Sequence, residues 1–178
     1  MNPQPPTAPT VVVALGSNLG ESHDILHEAF AQLRSIADDN FKASSLWQSS
    51  PVDCPPGSPD FVNAAATFQA RVGETAESLL GQLQQWEREA GRRPKRQLNE
   101  PRPLDLDLIL FGQETRSTPT LVLPHPRAAQ RRFVLEPLCE LLPDLVPPGW
   151  NHSVRETLAA LKSGEVLERI DPGGFEAR

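Results

Sequence analysis

Proline placement limits this chain more than any other feature. None of its 19 prolines falls between Thr10 and Ser50, or between Asp60 and Arg93. Proline removes a backbone donor and breaks helices and sheet ladders, so regular structure is expected in those two stretches. Residues 1–9 hold four prolines and are expected to be a disordered tail, as is Asp171–Arg178 with its Pro-Gly-Gly. The segment 10–170 between them is expected to be a single domain.

Within the proline-free stretches the hydrophobic period separates strands from helices. Thr10–Leu15 is β-rich, ends at Gly16, and predicts a buried strand. Ile25, Leu26, Ala29, Phe30 and Leu33 recur at helical spacing and predict a helix over 22–36. Lys42–Ser49 reads as a strand, and Ser50–Pro59, with four prolines and a glycine, as a loop. Phe61–Ala70 is a strand with Val62, Ala64, Ala66 and Phe68 on one face and Phe61 and Asn63 opening the other. Thr75–Ala90 is an amphipathic helix with Leu79, Leu80, Leu83 and Trp86 inward, closed by Gly91. Leu104–Phe111 and the short Leu121–Leu123 are further strands, and Ser153-x-x-Glu156 is a capping box for a late helix. Strand, helix, strand, strand, helix, strand is the ferredoxin-like α+β order, an antiparallel sheet with its helices on one face, here followed by C-terminal helices.

Composition excludes several classes. The longest apolar run, Val11–Leu15, is far short of the ~20 residues of a membrane span, and the first residues lack the basic and apolar regions of a secretory signal. Cys54 and Cys139 are too few for a disulfide framework or a full zinc site. These features point to the cytoplasm. Net charge is −6, which argues against a nucleic-acid coat protein. Yet Arg88, Arg92, Arg93, Lys95, Arg96 and Arg102 face only Glu89 and Glu100, a local +4 in an acidic chain. That fits either a local anionic ligand or a solvated loop.

The strongest chemical signal is Pro101-Arg-Pro-Leu-Asp-Leu-Asp-Leu-Ile-Leu-Phe111. Alternation puts Asp105 and Asp107 on one strand face, ~6.6–6.8 Å apart along the strand, with Leu104, Leu106, Leu108 and Leu110 on the other. An arbitrary Asp-x-Asp is more often an incidental solvent-facing pair. Here the preceding cationic loop and Arg102 make a metal-assisted phosphate-transfer site plausible, with carboxylates for Mg²⁺ and arginine forks for phosphate. Gln84 and Glu87 lie on one face of the preceding helix, away from its leucines, where periodicity alone favours plain surface. His125, between prolines, either donates to a phosphate or fills a turn. Gly16-Ser-Asn-Leu-Gly20 lacks the lysine and length of a P-loop. Phe61 beside Asn63 suits a flat heterocycle through stacking and paired hydrogen bonds, or else core packing.

Five ordered blocks resemble one family: Ala14-Leu-Gly-Ser-Asn-Leu-Gly20, Phe61-Val-Asn-Ala-Ala65, Glu87-x-x-x-Gly-Arg92, Pro101-Arg-Pro-Leu-Asp-Leu-Asp107, and Leu123-Pro-His125 with Arg131-x-Phe-Val-Leu135. Over about Val11–Leu145 the chain is similar to the 6-hydroxymethyl-7,8-dihydropterin pyrophosphokinases of folate biosynthesis. The resemblance implies a ferredoxin-like fold and transfer of the β,γ-diphosphate of ATP to the pterin hydroxymethyl group, leaving AMP. It implies two Mg²⁺ ions on Asp105 and Asp107, and a pterin held between Phe61 and Phe133. Asn63, with Ser49, Ser50 and Val52, would take the pterin edge. Gln84, Arg92, Arg102, His125 and Arg131 would hold phosphates, Glu87 would support that region, and the Leu108 backbone would meet adenine. The expected partners are small-molecule substrates, without nucleic acid or membrane, and the expected state is a monomer.

The chain departs from the family pattern in the loop 92–103. Pro94 stands where a second arginine is usual, Asn99-Glu100 where a tryptophan precedes Gly-Pro-Arg, and Pro126 follows the histidine where tyrosine is common. Arg93, Lys95 or Arg96 would replace the lost cation. Two other classes fit the residues less well: a noncatalytic ferredoxin-like RNA-binding module, and another two-metal transferase on the same fold.

Overall fold

In the computed structural model, which describes residues 7–51 and 53–171, the first proline-free stretch folds as β1 (Thr10–Ser17), α1 (Ser22–Ile36), β2 (Asp39–Ala43) and β3 (Leu46–Ser49). The second holds β4 (Phe61–Gln69) and α2 (Ala76–Glu89), and is followed by β5 (Asp105–Phe111). Beyond these come the short strands β6 (Arg116–Ser117) and β7 (Val122–Leu123), a 3₁₀ turn at Ala128–Gln130, α3 (Arg132–Leu141), α4 (Val154–Ala160) and β8 (Leu167–Asp171). The main sheet runs β5-β1-β4-β3-β8, with β2 also pairing β4, and its pairs are antiparallel. This is the ferredoxin-like α+β order expected from the sequence.

Two apolar layers flank the sheet. Val11, Val13 and Leu15 of β1 pack with Phe30 and Leu33 of α1 and Leu79 and Leu83 of α2. Val12 and Ala14 point the other way, into a second cluster with Val134, Leu135 and Leu138 of α3 and Val154 of α4. The helices of the βαββαβ core, α1 and α2, share one face as expected, and the C-terminal helices α3 and α4 occupy the second, which an RNA-binding sheet of this pattern would need open. α3 forms although Pro137 lies inside it. The missing bond costs ~3 kcal/mol, whereas burying Val134, Leu135 and Leu138 contributes ~1.5–3 kcal/mol each.

Several elements differ from the sequence expectation. The strand at 42–49 is split at Ser44 and Ser45. The Ser44 hydroxyl accepts the Ala65 N–H at 2.8 Å, and the Ser45 hydroxyl donates to Glu140 of α3 at 2.9 Å. Serine side chains thus interrupt the regular ladder. A register shift between β1 and β5 pairs Val12 with Leu110 but Val13 with Leu108. The extra residue, Ile109, is a bulge, which turns Leu110 to the second apolar cluster instead of the face of Leu104, Leu106 and Leu108. β8 was not expected; it reaches Asp171, assigned to the tail, and pairs with β3. Residues 1–6 and 172–178 of the two expected tails lie outside the described residues, while the Pro9 carbonyl accepts the Ala70 N–H at 2.9 Å.

Helix ends match closely. Thr75 caps α2 in a reciprocal box with Ser78, and Ser153 caps α4 in one with Glu156. Gly91, at φ +98°, follows α2 in the left-handed conformation that ends a helix.

Candidate active site

Strand register builds the floor of the main cleft. Gly16 of β1 lies opposite Asn63 of β4 on one side and Asp105 of β5 on the other, and Ala14 lies opposite Asp107. Paired residues share a face, so an amide and an acid are carried side by side, separated by a glycine without a side chain. Across two interstrand spacings they stand ~10 Å apart. A Cβ on Gly16 would meet Asn63 Oδ1 at 3.7 Å, Asp105 Cβ at 3.9 Å and Phe61 Cδ1 at 3.9 Å. The cleft above this row has a volume of about 280 Å³ and also takes in Phe133, Arg131, Arg102, Ser49 and Ser50. Val52, assigned to the same rim, lies outside the described residues.

Asn63 is buried, and its Nδ2 donates to Ser49 Oγ at 2.8 Å and to the Trp47 carbonyl at 3.3 Å. This leaves Oδ1 as an acceptor toward the cleft. Phe61 comes from the start of β4 and Phe133 from the first turn of α3, and both rings line the cleft. An arginine lies over each: the Arg102 guanidinium carbon 5.8 Å from the Phe61 centroid, and that of Arg131 5.4 Å from the Phe133 centroid.

The acids meet the cationic loop at Asp105. Arg92 Nη1 donates to Asp105 Oδ1 at 2.8 Å and to Glu87 Oε1 at 2.6 Å. Arg102 Nε is buried without a hydrogen-bond partner, 3.6 Å from Asp105 Oδ2. Glu87 is buried, against the expectation of plain helix surface from periodicity, and its Oε1 also accepts the Leu106 N–H at 2.8 Å. Burial pushes the Glu87 carboxyl above its ordinary value, opposed by the Leu106 N–H and the Arg92 charge. Asp107 is half-buried, and burial, then the charge of Asp105, pushes its carboxyl up to about 7. Such a carboxylate gains from a cation. Among the described residues no group of three or more His, Cys, Asp or Glu side chains converges. The pair would therefore leave most of a metal's coordination to phosphate oxygens and water, which suits Mg²⁺.

Asp107 also lines a second cleft of about 260 Å³ along the outer edge of β5, with Leu80, Leu106, Leu108, His125, Pro126 and the 118–122 turn. His125 is tied there by its N–H, which donates to the Ile109 carbonyl at 2.9 Å. Its Nδ1 accepts the Arg127 N–H at 3.2 Å. Burial, then the Arg131 charge, lowers its pKa. The ring is thus neutral near pH 7 and offers Nε2–H as a donor.

Two groups of expected residues fall outside. Gln84 is exposed and lines neither cleft. Arg93, Lys95 and Arg96 are exposed and line neither, while Arg127 lines the main cleft. Sequence reasoning missed Asn18. Its N–H donates to the Arg102 carbonyl at 3.1 Å, its Oδ1 accepts the Arg102 N–H at 2.9 Å, and its Nδ2 reaches the Pro59 carbonyl at 3.3 Å. It joins the end of β1 to both loops that frame the cleft; its place in Gly-Ser-Asn-Leu-Gly was the only signal. Asn99 was singled out only as a departure, and its Nδ2 donates to the Asp53 carbonyl at 2.9 Å, linking those same two loops.

Known proteins match this chain along most of its length. A family model for 7,8-dihydro-6-hydroxymethylpterin-pyrophosphokinase (HPPK) matches residues 12–143. The 2-amino-4-hydroxy-6-hydroxymethyldihydropteridine pyrophosphokinase of Pseudomonas aeruginosa is 39% identical over 165 residues, 92% of this chain and 97% of that protein. The Haemophilus influenzae protein of the same name is 37% identical over 140 residues, 78% of this chain and 85% of its own. In fold, a solved HPPK-DHPS in complex with substrates superposes with a TM-score of 0.67 at 11% identity, over 86% of this chain and 43% of that longer one. The chain belongs to the 7,8-dihydro-6-hydroxymethylpterin-pyrophosphokinase family.

Proposed function

We propose that the two clefts flanking Asp107 bind the two substrates of one transfer: 6-hydroxymethyl-7,8-dihydropterin in the main cleft and ATP along the outer edge of β5. As a family member the chain is a pyrophosphokinase of folate biosynthesis, an enzyme that uses ATP as co-substrate and moves a diphosphate to the pterin. The observation that carries the site assignment is the row Asn63–Gly16–Asp105. It sets a heterocycle-recognising amide beside the acids and arginines of a phosphate site, with no side chain between.

In this reading Phe61 and Phe133 hold the pterin ring by stacking, and Asn63 Oδ1 accepts from its donor edge beside Ser49 and Ser50. Arg92, Arg102 and Arg131 bind the transferring phosphates, and His125 donates through Nε2. Glu87 keeps Arg92 and the start of β5 in place. The Leu108 backbone, on an edge strand, is available to the adenine. Asp105 and Asp107 would hold Mg²⁺, for which we propose two ions. When bound, Mg²⁺ neutralises charge on the phosphates and helps align them. The hydroxymethyl oxygen attacks the β-phosphorus in line and gives up its proton to water, while the bond from that phosphorus to the α-phosphate oxygen breaks and AMP leaves. Positioning and charge neutralisation supply most of the catalysis. We further propose that the enzyme acts as a monomer in the cytoplasm. No described helix is long and apolar enough to cross a membrane.

The test is a product assay with ATP, Mg²⁺ and the pterin. AMP formed one-for-one with pterin diphosphate is the expected result. ADP as the nucleotide product, or ATP turnover independent of the pterin, would refute the assignment.

A further inference from the structure

α3 begins at the pterin cleft without a cap of its own. Its first turn carries Phe133, preceded by Arg131 in the capping position, and the Arg131 side chain accepts no hydrogen bond from the helix. The acceptor comes from far along the chain: Glu165 Oε2 takes the N–H of Arg132 at 2.9 Å. Glu165 also lines the main cleft together with Phe133 and Arg131. It lies outside the stretch 12–143 that the family model matches.

The sheet explains why Glu165 sits there. β8 pairs with β3 so that Leu167 lies opposite Ser49, the partner of Asn63. Two residues earlier the chain has passed the end of β3 and stands over the cleft. The Glu165 N–H donates to Ser163 Oγ at 3.1 Å, which steadies the turn that delivers it. A single segment therefore pairs with the strand carrying Ser49 and caps the helix carrying Phe133. A carboxylate at a helix N-terminus satisfies a free donor and meets the positive end of the helix dipole.

We propose that Glu165 is a positioning residue of the pterin site, setting the Phe133 ring through its cap on α3. This rests on the pterin assignment above. Loss of a cap loosens the first turn by an amount equal to roughly a fivefold change in an equilibrium. Glu165→Ala is therefore expected to raise the pterin KM by about five- to tenfold, with the ATP KM unmoved. Glu165→Gln keeps an acceptor oxygen and is expected to restore most of the pterin affinity. Amide exchange at Arg132 should quicken in Glu165→Ala and stay slow in Glu165→Gln. An unmoved pterin KM in Glu165→Ala, equal changes in the KM of both substrates, or a Gln variant as impaired as Ala would each overturn the proposal while wild-type activity stands. A wild-type chain that makes no pterin diphosphate would overturn the pterin assignment, and the proposal with it.

Discussion

Removing Glu87 tests how the phosphate side of the site is held. Its Oε1 accepts two hydrogen bonds, from the Leu106 N–H at 2.8 Å and Arg92 Nη1 at 2.6 Å, with 11% of the side chain exposed. Glu87→Ala leaves the Leu106 donor buried and unpaired, a cost of ~1–3 kcal/mol. Arg92 keeps Asp105, so the full ~3–5 kcal/mol of a broken buried pair does not apply. The ionised carboxylate already bears a burial penalty, seen in its raised pKa, and the substitution relieves that penalty. The balance is a loss of ~1–3 kcal/mol, or a Tm lowered by roughly 2–12 °C for a chain of this size. Glu87→Gln keeps an acceptor for Leu106 and should lose ~1 kcal/mol or less. The sign with pH follows from the raised folded value. The folded protein holds more protons than the unfolded chain above the ordinary value of 4.5, so this group's contribution to stability falls as pH rises through that window. The deficit of the Gln variant should therefore shrink as pH rises above 4.5. Urea unfolding read by the midpoint at constant m measures all three chains. A loss under about 1 kcal/mol in Glu87→Ala, or a Gln variant as damaged as the Ala variant, would refute this account.

Asp107→Ala should abolish Mg²⁺-dependent turnover and leave the circular dichroism spectrum unchanged; retained turnover would remove its metal role. In the wild type the folded, metal-free Asp107 holds its proton up to about pH 7, and a cation must displace it. Mg²⁺ affinity by calorimetry should rise by up to about tenfold per pH unit below that value and level off above it; a flat profile would contradict this. Asn63→Ala should weaken pterin binding by roughly tenfold, since a hydrogen bond to a neutral partner is worth ~1 kcal/mol and the Ser49 hydroxyl is left unpaired as well. Calorimetry with a non-hydrolysable ATP analogue should show little change in that variant. Asn99→Ala removes the link to the Asp53 carbonyl, so tryptic cleavage after Arg96 should quicken severalfold with Tm nearly unchanged.

The sequence by itself determined the order and type of the elements from β1 to β5, with the short strand at β7 and the capped helix α4. Proline-free stretches, apolar periodicity and capping residues are local properties, and they act over a few residues. The pairing of Asp105 with Asp107 and of Phe61 with Asn63 was legible for the same reason: alternation along one strand puts them on one face. What stayed hidden depends on partners far apart in the chain. Glu87 looked like surface because helix periodicity cannot see the strand edge at Leu106 that buries it. Of the six basic residues in the 88–102 stretch, only Arg92 and Arg102 turn toward Asp105, and charge counting does not tell them from Arg93, Lys95 or Arg96. The bulge at Ile109 moved Leu110 to the other face because register is a property of two strands together. β8 and the covering of the second sheet face by α3 and α4 were decided by tertiary packing, which outweighed the cost of Pro137. The row Asn63–Gly16–Asp105 exists only once β1 lies between β4 and β5: the sequence supplied the three residues, and the antiparallel register placed them side by side.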